Sequence, residues 1–203
     1  MVVAPGARGS LAGVLILVRH GRTALNAEGR LQGRLDEPLD EVGLRQAAAI
    51  AEHVGAVDVL ISSPLRRATQ TAEAFGVPFE TDERWIELSY GIFEGVMIAD
   101  APSEAWDHWQ DDVHYVPEGG ESLARLDLRV RAACEGLSRL AGDSDVAVVS
   151  HVSPIKSAVA WALGATIAIS WRSHLAPASI CRIEMRRRGP VLTAFNETVS
   201  LQN

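Results

Sequence analysis

The chain has 203 residues, 47% hydrophobic and 22% charged, which is enough to bury a sizeable core and too apolar for wholesale disorder. Its formal net charge of −7 argues against a general nucleic-acid or membrane-surface binder, so any site for an anionic ligand must be a local positive patch on an acidic body. One lysine, Lys156, stands among eighteen arginines and reads as compositional bias.

Residues 1–12 are expected to form a loose leader ahead of one domain over 13–203. Arg8 precedes the apolar segment Leu11–Val18, but that segment is short and runs into Arg19 and His20 with no small-x-small cleavage site. Val14–Val18 reads as a strand buried on both faces, as in a parallel sheet. After a polar loop, Asp40 is placed to cap a helix carrying Leu44, Ala47, Ala48, Ala51 and Val54 on one face, with Gly55 closing it. A second strand is expected at Val57–Ser62. It is followed at once by a helix start, with Ser63 as N-cap and Pro64 at the first helical position.

The segment Val96–Gly120 fits the alternation least well. It is acidic and aromatic, with Trp106, Trp109 and Tyr115, and reads as a helical insertion or lid. A helix from Ser122 carries Leu123, Leu126, Val130, Ala133, Leu137 and Leu140 on one face. Val146–Ser150 repeats the buried-strand pattern, and Ser153 and Pro154 repeat the cap and first-turn signal. Strands at Ile180–Met185 and Val191–Asn196 would be joined by a turn through Arg187–Pro190. Strand–helix alternation of this kind predicts an α/β fold around a mostly parallel sheet. Cys134 and Cys181 lack metal-type spacing and read as buried free thiols. No apolar run is long enough to span a bilayer, and a cytoplasmic protein is expected.

Ligands of open α/β sheets bind at the carboxyl ends of the strands. The three parallel strands end in Arg19 and His20, in Ser63-Pro64-Leu65-Arg66, and in His151. Two histidines and two arginines with no carboxylate or cysteine cluster suggest a phosphate site rather than zinc. A neutral imidazole at His20 can attack phosphorus and carry the phosphoryl group, while Arg19, Arg66 and His151 neutralise the equatorial oxygens. A carboxyl group beside a phosphate can hold the proton that the leaving alkoxide needs. Glu87 in "ELSYGIFEG" is the candidate acid, with Glu94 its rival, and Gly91 and Gly95 allow a tight loop there. Arg67, next to Arg66, reads as surface charge.

The stretches "RHGRTALNAEGRLQG", "SSPLRRATQTA", "ELSYGIFEG", "PEGGES" and "SHVSPIK" resemble, in order and spacing, the histidine phosphatase superfamily, also called the phosphoglycerate-mutase-like family. The resemblance runs from about residue 14 to the last strands. It implies a three-layer α/β/α sandwich, a phosphohistidine on His20, and a phosphate pocket of Arg19, Arg66 and His151 with Asn26 contributing. It also implies Glu87 as proton donor and no metal or organic cofactor. Thr23 and Arg22 are further substrate-side candidates. Two positions depart from the family pattern: Arg22 stands where Glu or Gln is usual, and Val152-Ser153 where two glycines are usual.

Three readings follow. The first is a phosphatase acting on a small phosphomonoester, with no nucleic-acid or membrane partner. The alternatives are a metal-independent mutase of the phosphoglycerate type and a non-catalytic phosphate-binding module. Mutases resemble this chain in the core but carry a longer insertion with basic residues. From Val96 to Ser122 there is no Lys or Arg, while Asp100, Glu104, Asp107, Asp111, Asp112, Glu118 and Glu121 would repel a second anionic group. Phosphatase is therefore the expected activity. The leaving group is expected to be a small, modestly charged alcohol, with Arg22, Arg30, Arg34, Lys156 and Arg172 as candidates for the mouth.

Overall fold

The computed structural model describes residues 13–201, so the leader expected at 1–12 lies outside the described residues. Strands β1 (Val14–Arg19), β2 (Val59–Ser62), β3 (Glu80–Thr81) and β4 (Val146–Ser150) run parallel. Strands β5 (Ser179–Arg186) and β6 (Gly189–Thr198) form an antiparallel hairpin that pairs with β1 through β5. The order across the sheet is β3-β2-β4-β1-β5-β6.

Side-chain alternation along the strands builds two cores. Leu15, Leu17, Val146 and Val148 pack on one face, against helices α5 (Leu123–Ser138) and α6 (Val152–Ala162). Ile16, Val18, Ala147 and Val149 pack on the other, against α2 (Glu41–Val54) and α3 (Arg66–Glu73). The chain is a three-layer α/β/α sandwich with helical insertions, among them the short α1 (Ala24–Ala27) and α4 (Ser103–Asp111). Cys134 and Cys181 are buried and unpaired, on the core face shared with α5.

The ladder brings three strand ends level with one another. Arg19 is in register with Ser150, and Ser62 with Val149. The next amides continue the pairing, His20 N–H to Ser150 O at 3.0 Å and Ser63 N–H to Val149 O at 2.9 Å. His20, Ser63 and His151 therefore leave the sheet side by side.

Local details differ from the sequence reading. Pairing of β2 begins at Val59, not Val57. The helix after it begins only at Arg66, with Leu65 extended as N-cap and no side-chain cap, so Ser63 and Pro64 belong to the connecting turn. Helix α6 starts at Val152 with His151 as N-cap, which puts Ser153 and Pro154 inside its first turn; the missing N–H of proline costs nothing there. Asp40 and Ser122 do cap α2 and α5, accepting from Gly43 N–H and Arg125 N–H. The buried face of α2, however, is Gly43, Ala47 and Ile50, and Leu44 is half exposed. The alanine run left the phase open, and a close contact decides it. A Cβ on Gly21 would lie 2.4 Å from the Gly43 carbonyl oxygen, so the turn after β1 and the first turn of α2 can approach only as two glycines. Leu140 falls beyond α5, in a separate 3-10 turn.

Candidate active site

Beyond the carboxyl ends of β1 and β4 lies a cavity of about 330 Å³, lined in part by Arg19, His20, Arg67, Glu87 and Lys156. A larger surface depression of about 570 Å³ lies between α2 and residues 199–201 and shares no lining residue with it.

His20 is almost fully buried, and its ring geometry fixes its tautomer. Nδ1 lies 2.7 Å from the carbonyl oxygen of Gly21, which can only accept, so Nδ1 carries the proton and Nε2 the lone pair. The Nε–H of Arg67 donates to that Nε2 at 3.2 Å and to Nδ1 of His151 at the same distance. The lone pair on His151 Nδ1 leaves its proton on Nε2, which donates to Ser63 Oγ at 2.7 Å. The two imidazoles lie with centroids 5.0 Å apart. Burial first, then the positive charge of Arg67, pushes both histidines well below their ordinary range, so both rings are neutral at physiological pH.

Arg67 is held by its own fork, Nη1 on Leu35 O at 2.8 Å and Nη2 on Gly33 O at 2.7 Å. Arg19 donates from Nη1 to Leu175 O at 2.5 Å, and its buried Nε has no partner. Burial lowers both guanidinium pKa values to about 10, which leaves both charged.

Glu87 is buried at the cavity wall. Its Oε1 accepts from Leu88 N–H at 2.8 Å and from Ser153 N–H, in the first turn of α6, at 3.2 Å. Its Oε2 takes no hydrogen bond from the described residues. The backbone carbonyl of Glu87 is gripped by Arg34 and Arg129, which share Glu121 as counter-ion. Glu94 is occupied elsewhere: its Oε1 accepts from Arg34 N–H, Tyr90 N–H and Ser89 Oγ, and it closes the loop that Gly91 and Gly95 turn with positive φ.

Three expected site residues stand elsewhere. Arg66 is exposed on the outer face of α3, and its amide donates to Asp36. The arginine of the site is its neighbour Arg67, 1% exposed and on the helix face of Ala68, Thr71 and Ala72. Arg22 turns back to pair with Asp40, Nε to Oδ2 at 2.8 Å, because its carbonyl packs on the N-terminus of α2. Thr23 is fully buried below the cavity, capping α1 in a reciprocal box with Asn26 and donating to Gln32 Oε1 at 3.0 Å. Asn26 both completes that cap and lines the cavity. Three polar lining residues escaped the sequence reading: Gln32, whose buried Nε2 has no partner, Tyr90 and His174. The only lead to Gln32 was its place in the "RLQG" stretch.

Of the five cations expected at the mouth, Arg30 and Lys156 line the cavity and Arg22, Arg34 and Arg172 do not. Among the acidic residues of 96–122, none lines it. Six are exposed, and Glu121 is buried between Arg34 and Arg129. The expected repulsion of a second anion therefore does not arise inside the cavity. The lid contributes Ile98 and Trp106 to the wall, while Trp109 is core, ringed by Tyr90, Phe93, Trp106 and Tyr115. Among the described residues no cluster of three metal-ligating side chains occurs, and no helix is long and apolar enough to cross a membrane.

What this arrangement can do chemically is limited and specific. It offers a nucleophilic lone pair at the floor of a cavity, two charged guanidinium groups beside it, and one carboxyl oxygen at the wall.

Residues 15–198 match the family described as Histidine phosphatase superfamily (branch 1). The chain is 34% identical over 197 residues to phosphoserine phosphatase 1 of Hydrogenobacter thermophilus, covering 92% of this chain and 93% of that one. It is 36% identical over 194 residues to bifunctional protein Rv2228c of Mycobacterium tuberculosis, where it covers 91% of itself and 53% of that longer protein. The crystal structure of phosphoserine phosphatase from Entamoeba histolytica in complex with 3-phosphoglyceric acid superposes with a TM-score of 0.84 at 28% identity, over 91% of this chain and 97% of that one.

Proposed function

The chain belongs to the histidine phosphatase superfamily and is a phosphomonoester hydrolase, and from that premise we propose that His20 is its nucleophile and Glu87 its acid. The observation that carries the assignment is the His20 tautomer, with Nδ1–H fixed on Gly21 O and the Nε2 lone pair at the cavity, flanked by Arg67.

The ester phosphate enters with its oxygens toward Arg19 and Arg67. His20 Nε2 attacks phosphorus, the P–N bond forms, and the P–O bond to the leaving group breaks. The proton that the leaving oxygen needs comes from Glu87 Oε2. Water then attacks the phosphohistidine, Glu87 takes a proton from it, and the P–N bond returns its electron pair to Nε2. Arg19 and Arg67 hold charge already in place before reaction, and such preorganisation supplies most of the catalysis in phosphoryl transfer. His151, fully buried beside His20, positions Arg67 through their hydrogen bond.

The substrate is a small phosphorylated metabolite that fits a cavity of about 330 Å³. We place the enzyme in the cytoplasm, a reading supported by its two unpaired thiols.

The test is release of phosphate from p-nitrophenyl phosphate and a panel of small esters by wild type and His20→Ala. Turnover should vanish in the mutant, and an acid-labile phosphohistidine should form in the wild type on quenching with labelled ester. Turnover surviving in His20→Ala overturns the assignment. Label passing to a second hydroxyl, rather than to water, would indicate a mutase.

A further inference from the structure

Among the described residues, two that are not glycine hold a left-handed backbone, Ala178 at φ 56° and Asn196 at φ 55°. Such a conformation crowds the Cβ atom and persists only where surrounding contacts over-determine it. Both residues serve one segment, 173–178, which leads from the 3-10 turn Ile167–Arg172 into β5 beside the carboxyl end of β1. Ala178 ends that segment. It is buried, and its N–H continues the β1–β5 ladder on the carbonyl of His20 at 3.0 Å.

Asn196 holds the same segment from the far side. The register of the hairpin passes from Ile180–Glu197 to Arg182–Ala194, so Cys181 faces two residues of β6, Phe195 and Asn196. The extra residue is a β-bulge, which re-aims a side chain out of the ladder, and asparagine tolerates the left-handed backbone this needs. Its Oδ1 accepts from the N–H of Ala176 at 2.7 Å.

That N–H belongs to the same peptide group as the carbonyl of Leu175, which receives Nη1 of Arg19 at 2.5 Å. A planar trans peptide points its C=O and N–H in opposite directions, so Arg19 and Asn196 are hooked to the two ends of one rigid unit. Rotation of that plane would swing the carbonyl off the guanidinium, and the bond to Asn196 opposes it. The bond at the N–H end also polarises the carbonyl, which improves it as an acceptor for a charged donor. With Nη1 fixed in this way, the buried Nε of Arg19, which has no partner among the described residues, is left for a phosphoryl oxygen.

We infer that Asn196, two strands from β1 and outside the cavity lining, is a positioning residue that sets the guanidinium of Arg19 through the Leu175–Ala176 peptide. This rests on the phosphate-binding role proposed for Arg19 above.

The experiment is a double-mutant cycle between Asn196 and Arg19, read as kcat/KM on p-nitrophenyl phosphate, with thermal melts to confirm folding. Asn196→Gly keeps the left-handed backbone and removes the acceptor, and should lower kcat/KM about tenfold, the size of one net hydrogen bond. Arg19→Met keeps an aliphatic stem, removes the donors and should cost about 10²–10³. Adding Asn196→Gly to Arg19→Met should change kcat/KM by less than about twofold, because the group it positions is gone. Asn196→Asp retains Oδ1 and should stay within about threefold of wild type. A residue that only steadies the fold would cost the same factor in both backgrounds. Equal losses in the two backgrounds, wild-type turnover in Asn196→Gly, or an Asn196→Asp as slow as Asn196→Gly overturns the inference while Arg19 keeps its role. Wild-type turnover in a folded Arg19→Met overturns the phosphate role of Arg19 and the inference with it.

Discussion

The Nε–H of Arg67 points at the Nε2 lone pair of His20 across 3.2 Å. A cation aimed at a nucleophile's lone pair lowers its basicity and keeps the ring neutral. It also leaves a guanidinium beside the place where phosphoryl oxygens must lie when Nε2 attacks. The same contact therefore adds to burial in keeping His20 neutral and, in the reaction proposed above, positions the charge that steadies the transferring group.

A paired substitution follows from it. Arg67→Ala should lower kcat/KM on phosphomonoesters by about 10²–10³, the loss typical of one preorganised donor. Arg66→Ala, on the exposed face of the same helix, should stay within about twofold. Steady-state kinetics on p-nitrophenyl phosphate, with thermal melts to confirm folding, decide between them. A large loss in Arg66→Ala with little in Arg67→Ala would reverse the assignment.

The signal that separates these two arginines was present in "PLRRATQTA". Ala68 and Ala72 mark the buried side of α3, and Arg67 shares that side while Arg66 does not. Charge hides this in the sequence, where an arginine reads as surface; an arginine goes inside only where acceptors receive its donors, as the carbonyls of Leu35 and Gly33 and the two histidines do. The strand ends were legible because continuous apolar runs stop abruptly at Arg19, Ser63 and His151. Their juxtaposition, however, depends on a register between β1, β4 and β2 that no single segment encodes. Thr23 and Ser63 look like substrate-side or capping hydroxyls in one dimension. Only the folded chain shows Thr23 turned to Gln32 and Ser63 receiving the His151 proton. Lys156, a compositional oddity in the sequence, acquires meaning from the cavity it lines.

The pH dependence has two parts. Both histidines are held well below 6.5 in the folded protein, mainly by burial, whereas in the unfolded chain each protonates near 6.5. The unfolded state therefore binds more protons as pH falls below 6.5. The stabilising contribution is full above that value and is lost as pH drops toward the folded-state values, by up to about 1.4 kcal/mol per pH unit for each ring. Unfolding free energies from urea titrations should hold between about pH 7.5 and 6.5 and fall toward this slope between about 6.5 and 5, and His151→Asn should flatten the fall. For catalysis, the acid limb of kcat/KM on p-nitrophenyl phosphate, corrected for ionisation of the ester, should lie well below 6.5. An acid limb at 6.5 or above would mean that His20 is not held neutral by its surroundings.

Glu87 presents the sharpest test of the reaction as written. Its Oε1 is anchored by two backbone amides, which fixes the carboxyl against the first turn of α6 and leaves Oε2 for the leaving oxygen. Glu87→Gln preserves shape and the Oε1 acceptor while removing the transferable proton. Alkyl phosphates, whose alkoxides leave poorly without a proton, should slow by about 10²–10⁴. p-Nitrophenyl phosphate, whose phenolate leaves unassisted, should lose less than about tenfold. The check is the dependence of kcat/KM on leaving-group pKa across a series of esters: nearly flat for wild type, steep for Glu87→Gln. Parallel lines of equal slope would remove Glu87 from the role of acid, and Tyr90 would be the next residue to replace, since it lines the same cavity and burial keeps its hydroxyl protonated.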